Sequence, residues 1–224
     1  TYGISAHADV RVRDLVVRDG AQHLVIEAEG MPMVRTKTPL PGKMNVINAL
    51  AAFTAAQSLG AEPALLARAI ERFTGIGRRF ERIKEEGGVL VISDYAHHPT
   101  AVKTTIEAAK SMYPGRRLLT CFQPHRTART RDLFADYVES FDELDQLLLL
   151  DIWDMPNELL NAGVHSQDLL EAMQTRDALN NRRRSLEYCA TPAEALARLQ
   201  LLKRPGDLVL IMGAGDVYRI AKDV

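Results

Sequence analysis

Apolar and polar residues alternate along the first part of the chain. Between residues 10 and 38 short apolar stretches predict strands, and Leu24, Ile26 and Ala28 alternate with more polar neighbours, the period of a half-buried strand. The alternation is interrupted at Asp19–Gly20 and at Glu29–Gly30, dipeptides typical of tight turns. This pattern predicts a three-stranded β-meander that ends before Pro39. Residues 1–5 have the character of a strand or of the start of one.

The period changes after the meander. From Asn45 to Leu59 the apolar residues recur at helical spacing, and Gly60 is a good C-terminal stop. A second helix is predicted from Ala64 to Arg72, because Pro63 occupies the favoured first-turn position.

The rest of the chain alternates between apolar runs and amphipathic segments. The predicted strands are Val89–Ile92, Leu118–Phe122, Gln146–Ile152, Ser185–Cys189 and Asp207–Met212. The predicted helices are Thr100–Ser111, Arg131–Phe141, Ser166–Thr175 and one that is opened by Thr191 as a cap, with Glu194 at the reach-back position. This order predicts an α/β fold with a mostly parallel sheet that is covered on both faces. We expect the boundary between the two halves near residues 75–80.

Composition narrows the class of protein. The 224 residues are 46% hydrophobic and carry a formal net charge of -1, so bulk electrostatics suggest neither nucleic-acid nor membrane binding. No apolar run approaches the roughly 18 residues of a membrane-spanning helix. The two cysteines, Cys121 and Cys189, lie in apolar runs and are interpreted as packed thiols, which favours a cytosolic setting. The chain starts at Thr1 without an initiator Met, so we expect a fragment of a longer protein.

Three polar segments follow predicted strands, where ligands bind in open parallel sheets. They are Asp94–Pro99, Gln123–Arg129 and Gly213–Asp216. Their convergence on one edge of the sheet is the main sign of a functional site. Gly213 and Gly215 allow close approach to a ligand or to a neighbouring loop, and a plain tight turn is an equal alternative.

Each polar residue type has more than one interpretation. Asp94 is suited to accept hydrogen bonds from ribose hydroxyls, or to cap the helix near Thr100. His97 and His98 are adjacent, which favours a hydrogen-bonding role for one of them over a metal pair, and no metal ligands are assigned.

Basic and amide residues supply further candidates. Arg126 and Arg129, three residues apart and beside His125, are suited to grip a carboxylate or a phosphate if the turn is helical. Asn45 and Asn48 are helix caps, or two amides that read an adenine edge. In Gly77–Arg78–Arg79–Phe80–Glu81, an Arg–Glu pair is structural or reaches a phosphate.

These segments together resemble the Mur ligase family of ATP-dependent amino-acid ligases. The resemblance rests on the ordered motifs Asn45–Ala52, Arg79–Phe80–Glu81 and Asp94–Pro99. A closer resemblance, to the branch that joins L-alanine to UDP-N-acetylmuramate, rests on Phe122–Arg126 followed by Arg129, and on Gly213–Asp216.

The resemblance implies an architecture and an activity. It places residues 1–79 in the C-terminal part of a central ATPase domain and residues 80–224 in a complete C-terminal domain with a dinucleotide (Rossmann-like) fold. It implies ATP and Mg²⁺, an acyl-phosphate made from the muramate carboxylate, and attack by the amine of L-alanine. The implied partners are these substrates and the N-terminal and ATPase segments of the same enzyme.

The resemblance also implies residue roles. Asn45 and Asn48 would contact adenine, Arg79 a phosphate and Asp94 the ribose. The residues expected around the amino acid and its acyl partner are Tyr95, His97, His125, Arg126 and Arg129. Of these, His97, Arg126 and Arg129 are the expected catalytic residues.

Some family features are absent from this sequence. It has no G-x-x-x-x-G-K-[ST] phosphate loop: Gly42–Lys43–Met44 lacks both the earlier glycine and the hydroxyl that would meet Mg²⁺. Met44 stands where the family usually has His, and Thr127–Ala128 where close members have Tyr–Thr. We therefore expect the isolated chain to be inactive. The alternatives are a murein-peptide-recycling ligase, a non-catalytic nucleotide- or anion-binding module, and an α/β domain whose motifs serve packing alone.

Overall fold

The computed structural model describes residues 1–154 and 163–224. The chain forms two compact units, one of residues 1–75 with 108–114 and one of residues 76–107 with 115–224. The boundary after residue 79 that the family resemblance implies stays a prediction. Across the described ranges, no helix has the length and apolar character needed to cross a membrane.

The first unit contains the predicted meander. Its four-stranded sheet has the order β1-β2-β3-β4, in which β1 is parallel to β2 and the later pairs are antiparallel. The strands are Tyr2–Gly3 (β1), Val10–Arg18 (β2), Ala21–Ala28 (β3) and Val34–Thr38 (β4). Asp19 and Gly20 both have positive φ angles, 51° and 69°, as a type I′ hairpin turn requires.

Two helices cover this sheet. They are α1 (Lys43–Ser58) and α2 (Pro63–Arg72), with Pro63 in the first turn as predicted. The apolar face of the sheet and the buried side of the helices form one core, which contains Val10, Val12, Leu24, Ile26, Val34, Val46, Leu50, Phe53, Ala67 and Ile70.

The second unit is built on a six-stranded sheet of order β5-β6-β10-β7-β8-β9. The strands are Glu81–Glu86 (β5), Val89–Asp94 (β6), Leu118–Gln123 (β7), Gln146–Leu150 (β8), Ser185–Cys189 (β9) and Leu208–Gly213 (β10). All pairs are parallel except β5–β6. Every residue of β6, β7, β8 and β10 is buried, as expected for strands that are covered on both faces.

Helices connect these strands. They are α3 (Pro99–Met112), α4 (Thr127–Asp132), α5 (Phe134–Ser140), α6 (Ser166–Leu179) and α7 (Pro192–Leu202), and a 3₁₀ helix spans Val217–Lys222. On one face of the sheet, α7 and the 3₁₀ helix share a core with alternate strand residues. On the other face, Phe122 of β7 packs against Tyr137 and Phe141, with ring centroids 6.0 and 5.0 Å apart.

Two features differ from the sequence prediction. The antiparallel edge strand β5 was missed because four of the first five residues after Phe80 are charged, a common composition for an edge strand. The single helix predicted from Arg131 to Phe141 is wrong. Two short helices occupy this region, and they are separated at Leu133, whose φ and ψ of -114° and 26° are not helical.

The predicted cap of α7 is confirmed. The Thr191 hydroxyl accepts a hydrogen bond from the Glu194 backbone N–H at 3.2 Å, and the Glu194 carboxylate reaches back to the N–H of Ala190 at 2.9 Å. These bonds satisfy backbone donors that have no partner within the helix.

We predict that Thr191→Ala lowers the free energy of unfolding by about 1 kcal/mol, because an N–H at the start of α7 loses its acceptor. Denaturation with urea measures this loss. The control is Thr175→Ala, at an exposed position inside α6, where we expect a change below about 0.5 kcal/mol. Equal losses in the two variants would contradict a stabilising role of the cap.

Candidate active site

The ends of three neighbouring strands bring the predicted polar segments together. In the parallel register, Met212 of β10 pairs with Asp94 of β6, and Gly213 pairs with Gln123 of β7. The Gln123 side chain then ties the end of β7 to the segment that follows β10. Its amide nitrogen donates to Asp216 at 3.0 Å, and its oxygen accepts from the Val217 N–H at 3.1 Å. The convergence predicted from the sequence is confirmed.

The glycines after β10 permit this close approach. Gly213 has a φ of 147°, and a Cβ atom there would lie 2.8 Å from the carbonyl oxygen of Gln123. Gly215 is equally confined by the Gln123 side chain and by the indole of Trp153. Of the alternatives left open by the sequence, close approach to a neighbouring loop is the one observed.

Asp94 is buried and fixes the start of the second unit. Its carboxylate oxygens accept from the backbone N–H groups of Phe80, at 2.7 Å, and Ala96, at 2.6 Å. Burial raises the pKa of Asp94, and the two N–H donors and nearby arginines only partly offset this effect. The alternative in which Asp94 caps the following helix is wrong, because His98 accepts from the Thr100 N–H instead.

Four aromatic rings form a continuous row along the site. Tyr95 and His97 meet edge to face with centroids 5.1 Å apart, and His97 meets His125 in the same way at 5.6 Å. His125 then stacks on Trp153 at 5.2 Å, with an angle of 13° between the ring planes. Three of these rings were predicted as site residues, and Trp153 was not.

The hydrogen bond of His97 determines which of its nitrogens carries a proton. Its Nδ1 lies 2.9 Å from the carbonyl oxygen of Tyr95, which can only accept, so Nδ1 is the donor. In the neutral ring, Nε2 therefore keeps its lone pair. Burial lowers the pKa of His97, and the charges of Arg129 and Arg79 lower it further, while the bond to Tyr95 opposes them. The neutral form is thus favoured near pH 7.

The two predicted arginines follow β7 at the start of α4. Arg129 lies 3.3 Å from Nδ1 of His125, and this nitrogen is the acceptor because a guanidinium only donates. Arg126 is exposed and has a φ of 70°, a region that few residues other than glycine adopt. Its carbonyl accepts from the Thr130 N–H at 3.0 Å, so a backbone bond holds this conformation.

Arg78, to which the sequence assigned no definite role, makes most of the described contacts of the segment just before β5. The Arg78 guanidinium lies between the rings of Tyr95 and Tyr218, at 4.6 and 4.1 Å from their centroids. It also donates to the carbonyl of Gly213 at 2.8 Å, and its own carbonyl accepts from the Tyr95 N–H at 2.7 Å. Arg78 thereby ties the ends of the first and last parallel strands together.

The other candidates at this junction behave differently. Arg79 is exposed, with its guanidinium 5.3 Å from the centroid of the Tyr95 ring, so it is available to a ligand. Glu81 accepts from the backbone N–H of Arg78 at 2.8 Å, so its contact to Arg78 is structural.

Asn45 and Asn48 lie in α1 of the first unit. Asn45 donates to the carbonyl of Pro41 at 2.7 Å, just before α1, and Asn48 is exposed. The adenine contacts implied by the family resemblance stay predictions.

The chain is similar to known proteins in family, sequence and structure. A family model described as "Mur ligase, glutamate ligase domain" matches residues 78–215. The UDP-N-acetylmuramate–L-alanine ligase of Psychrobacter cryohalolentis is 38% identical to this chain, and the match covers 100% of the chain and 46% of that protein. The enzyme of the same name from Desulforamulus reducens is 36% identical, with 100% and 47% covered. The chain spans about half the length of the curated relatives it matches.

Solved structures share the fold. The UDP-N-acetylmuramate-alanine ligase of Thermotoga maritima has a TM-score of 0.80 at 20% identity, covering 99% of this chain and 46% of that one. A murein peptide ligase from Psychrobacter arcticus has a TM-score of 0.61 at 23% identity, covering 100% and 46%. At these identities the likeness establishes the fold alone.

We predict that Arg78→Ala lowers the free energy of unfolding by about 2 kcal/mol, because a charged hydrogen bond and two cation–π contacts are lost. Arg78→Lys should recover only part of this loss, since an ammonium lacks the planar fork. The control is Arg131→Ala, whose guanidinium is exposed and pairs with Asp132. A surface pair of this kind contributes at most about 1 kcal/mol. Equal losses at the two positions would contradict the role of Arg78.

The lowered pKa of His97 makes the folded state sensitive to acid. As the pH falls through the ordinary value of 6.5, the unfolded chain binds the proton first, so stability is lost. We predict that His97→Asn, which keeps a donor for the Tyr95 carbonyl, loses less stability than the parent between about pH 7 and 5. Thr175→Ala removes no titratable group and should keep the pH dependence of the parent. Parallel curves for the parent and His97→Asn would contradict the prediction.

Proposed function

The chain belongs to the Mur ligase family, and from this premise we propose that it is the C-terminal portion of an ATP-dependent ligase that joins L-alanine to UDP-N-acetylmuramate. The observation that carries the proposal is the group of contacts among His97, His125 and Arg129 at the strand ends of the second unit, with Arg126 in the same loop. It combines guanidinium groups, which can bind the carboxylate of an amino acid, with a neutral imidazole, which can accept a proton from its amine.

The carboxylate of L-alanine is the proposed ligand of the two arginines. Guanidinium groups match carboxylates with paired N–H donors, and a charged pair of this kind gives both affinity and orientation. Arg129 is already oriented through its contact with Nδ1 of His125. Arg126 is exposed in the loop that follows β7, at the N-cap position of α4 and three residues before Arg129. In this arrangement the amine of L-alanine is directed towards the row of rings.

His97 is the proposed acceptor of the proton that the amine loses. In the ligation step, the amine nitrogen forms a bond to the muramate carboxyl carbon, the bond from that carbon to the phosphate oxygen breaks, and a proton leaves the nitrogen. A base that stays neutral near pH 7 serves this purpose, and the lowered pKa of His97 leaves Nε2 with a lone pair. The Tyr95 carbonyl and the hydroxyl of Tyr137, which donates to the His97 carbonyl, hold this residue in place.

Contacts to ATP are proposed from the family resemblance, and the local geometry of Asp94 and Arg79 is compatible with them. ATP, when bound, supplies the phosphoryl group that activates the muramate carboxyl. Each oxygen of Asp94 accepts one backbone N–H, and a carboxylate has about four acceptor sites in all, so capacity remains for a ribose hydroxyl. Arg79 is exposed and fits a phosphate contact. Asn45 and Asn48 are proposed to contact adenine.

No metal ligand is assigned to this chain. Among residues 1–154 and 163–224, no group of three His, Cys, Asp or Glu side chains is arranged to hold a metal ion. The printed sequence also lacks a phosphate-loop motif. From the family membership we propose that ligation requires other segments of a longer protein, which would hold Mg²⁺ and the ATP phosphates. We also propose that the complete enzyme acts in the cytoplasm on nucleotide-linked precursors.

The test uses the full-length protein that contains this chain. We expect ADP release that depends on both UDP-N-acetylmuramate and L-alanine, and no comparable rate when a murein tripeptide replaces L-alanine. Preference for the tripeptide would favour the recycling ligase. Absence of ADP release with either acceptor, despite nucleotide binding, would favour a non-catalytic module.

We predict that Arg129→Gln in the full-length protein raises the KM for L-alanine roughly tenfold to a hundredfold, because a charged hydrogen bond to its carboxylate is lost. The matched control is Arg131→Gln on the same helix, whose guanidinium pairs with Asp132. Steady-state kinetics at saturating ATP measures both. An unchanged KM in Arg129→Gln would contradict carboxylate binding by this residue.

A further inference from the structure

Trp153 closes the row of rings and has no role assigned by the motifs. Its indole lies nearly parallel to the imidazole of His125, with centroids 5.2 Å apart and 13° between the planes. The stacked face of His125 is therefore covered, and the ring has little freedom to rotate. Arg129 lies on Nδ1 of the same imidazole, 3.3 Å away.

The backbone around Trp153 is tied to the loop after β7. The Trp153 N–H donates to the Pro124 carbonyl at 2.9 Å, and the Trp153 carbonyl accepts from the Arg126 N–H at 3.0 Å. The next residue, Asp154, accepts from the N–H of Thr127 at 2.7 Å. The segment after β8 thus runs alongside residues 124–127 as a short continuation of the parallel sheet, and this holds the indole at a defined position.

The indole of Trp153 packs against Gly215 in the loop after β10. A Cβ atom on Gly215 would lie 2.7 Å from Cγ of Trp153 and would also collide with the Gln123 side-chain oxygen. Only glycine leaves room for the ring at this place. The indole is therefore held by three strand-end loops, those after β7, β8 and β10.

The described core on the α7 side of the sheet does not account for this arrangement. Trp153 is half-buried and does not belong to the core on the face of the sheet that α7 covers. Its described ring contact is the polar side chain of His125. A side chain that serves only to fill the core would be expected to pack against aliphatic residues instead.

We propose that Trp153 is a positioning residue of the L-alanine site: its indole fixes the imidazole of His125, which in turn fixes the guanidinium of Arg129. This inference rests on the proposed function. It predicts that loss of the flat ring weakens recognition of the amino acid, while binding of ATP and of UDP-N-acetylmuramate is largely unaffected. The reason is that a guanidinium that is free to move is less often in the orientation that binds the carboxylate of L-alanine.

The experiment compares Trp153→Leu with Trp153→Phe in the full-length protein. Leu removes the aromatic face, and we expect the KM for L-alanine to rise about tenfold, the upper range for one aromatic contact. The KM values for ATP and UDP-N-acetylmuramate should change less than about twofold. Phe restores a flat ring and should recover most of the affinity for L-alanine.

A double-mutant cycle tests whether Trp153 acts through His125. If it does, Trp153→Leu should add little to the KM of His125→Ala, because the ring that it positions is already absent. The matched control is Phe141→Leu, an aromatic residue in the core. That change should lower the unfolding temperature and leave the KM for L-alanine unchanged.

Gly215→Ala provides a second route if Trp153→Leu folds poorly. The added methyl would collide with the Gln123 side-chain oxygen and lie 2.7 Å from Cγ of Trp153, so it displaces both side chains while Trp153 itself is unaltered. The KM for L-alanine should rise at least as much as in Trp153→Leu. An unchanged KM for L-alanine in a folded Trp153→Leu or Gly215→Ala enzyme would overturn the inference. A parent enzyme without L-alanine-dependent ADP release would instead overturn the proposed function.

Discussion

The register of β10 is the constraint on which the candidate site depends. This strand is the last of the sheet in sequence, yet it lies between β6 and β7 and pairs with both in parallel. Its pairing places Asp94, Gln123 and Gly213 at the same level of the sheet edge. The loops that follow can then share hydrogen bonds, and the absence of a side chain at Gly213 lets the two backbones approach. A side chain there would separate β10 from β7 at the point where the site is built.

Burial of charged and titratable groups at this edge lowers the stability of the fold, because these groups lose their hydration. Apolar side chains in the same places would not have this effect. Asp94 is buried with its pKa raised, and the Arg78 guanidinium is enclosed by two tyrosine rings. His97 is held in its neutral form by burial and by the arginines beside it. Groups of this kind are retained where they orient or transfer protons, and perturbed pKa values cluster at functional sites for that reason. The local electrostatics therefore favour this edge of the sheet as the candidate site.

The site is a set of loops held by backbone pairing, with few side chains left exposed to a ligand. His125 and Trp153 stack because the segments after β7 and β8 continue to pair beyond the strands. Arg126 holds a left-handed backbone conformation because bonds on both sides of it are satisfied. Such pre-organisation keeps a guanidinium or an imidazole in place before the substrate arrives, and it lowers the entropy lost on binding. At the opposite end of the row of rings, Arg78 holds Tyr95 in place through its guanidinium and its backbone carbonyl.

The sequence by itself determined the meander, the parallel strands and the three polar segments, because period, turn dipeptides and caps are local properties. It also carried the family resemblance. It did not determine the charged edge strand β5, since pairing with β6 decides this strand from outside the segment. Nor did it determine the break between α4 and α5 at Leu133. It could not choose between a cap and another role for Asp94, or identify Arg78 and Trp153. The partners of the Arg78 guanidinium and of the Trp153 indole lie more than ten residues away in sequence, and only the tertiary structure brings them within contact distance.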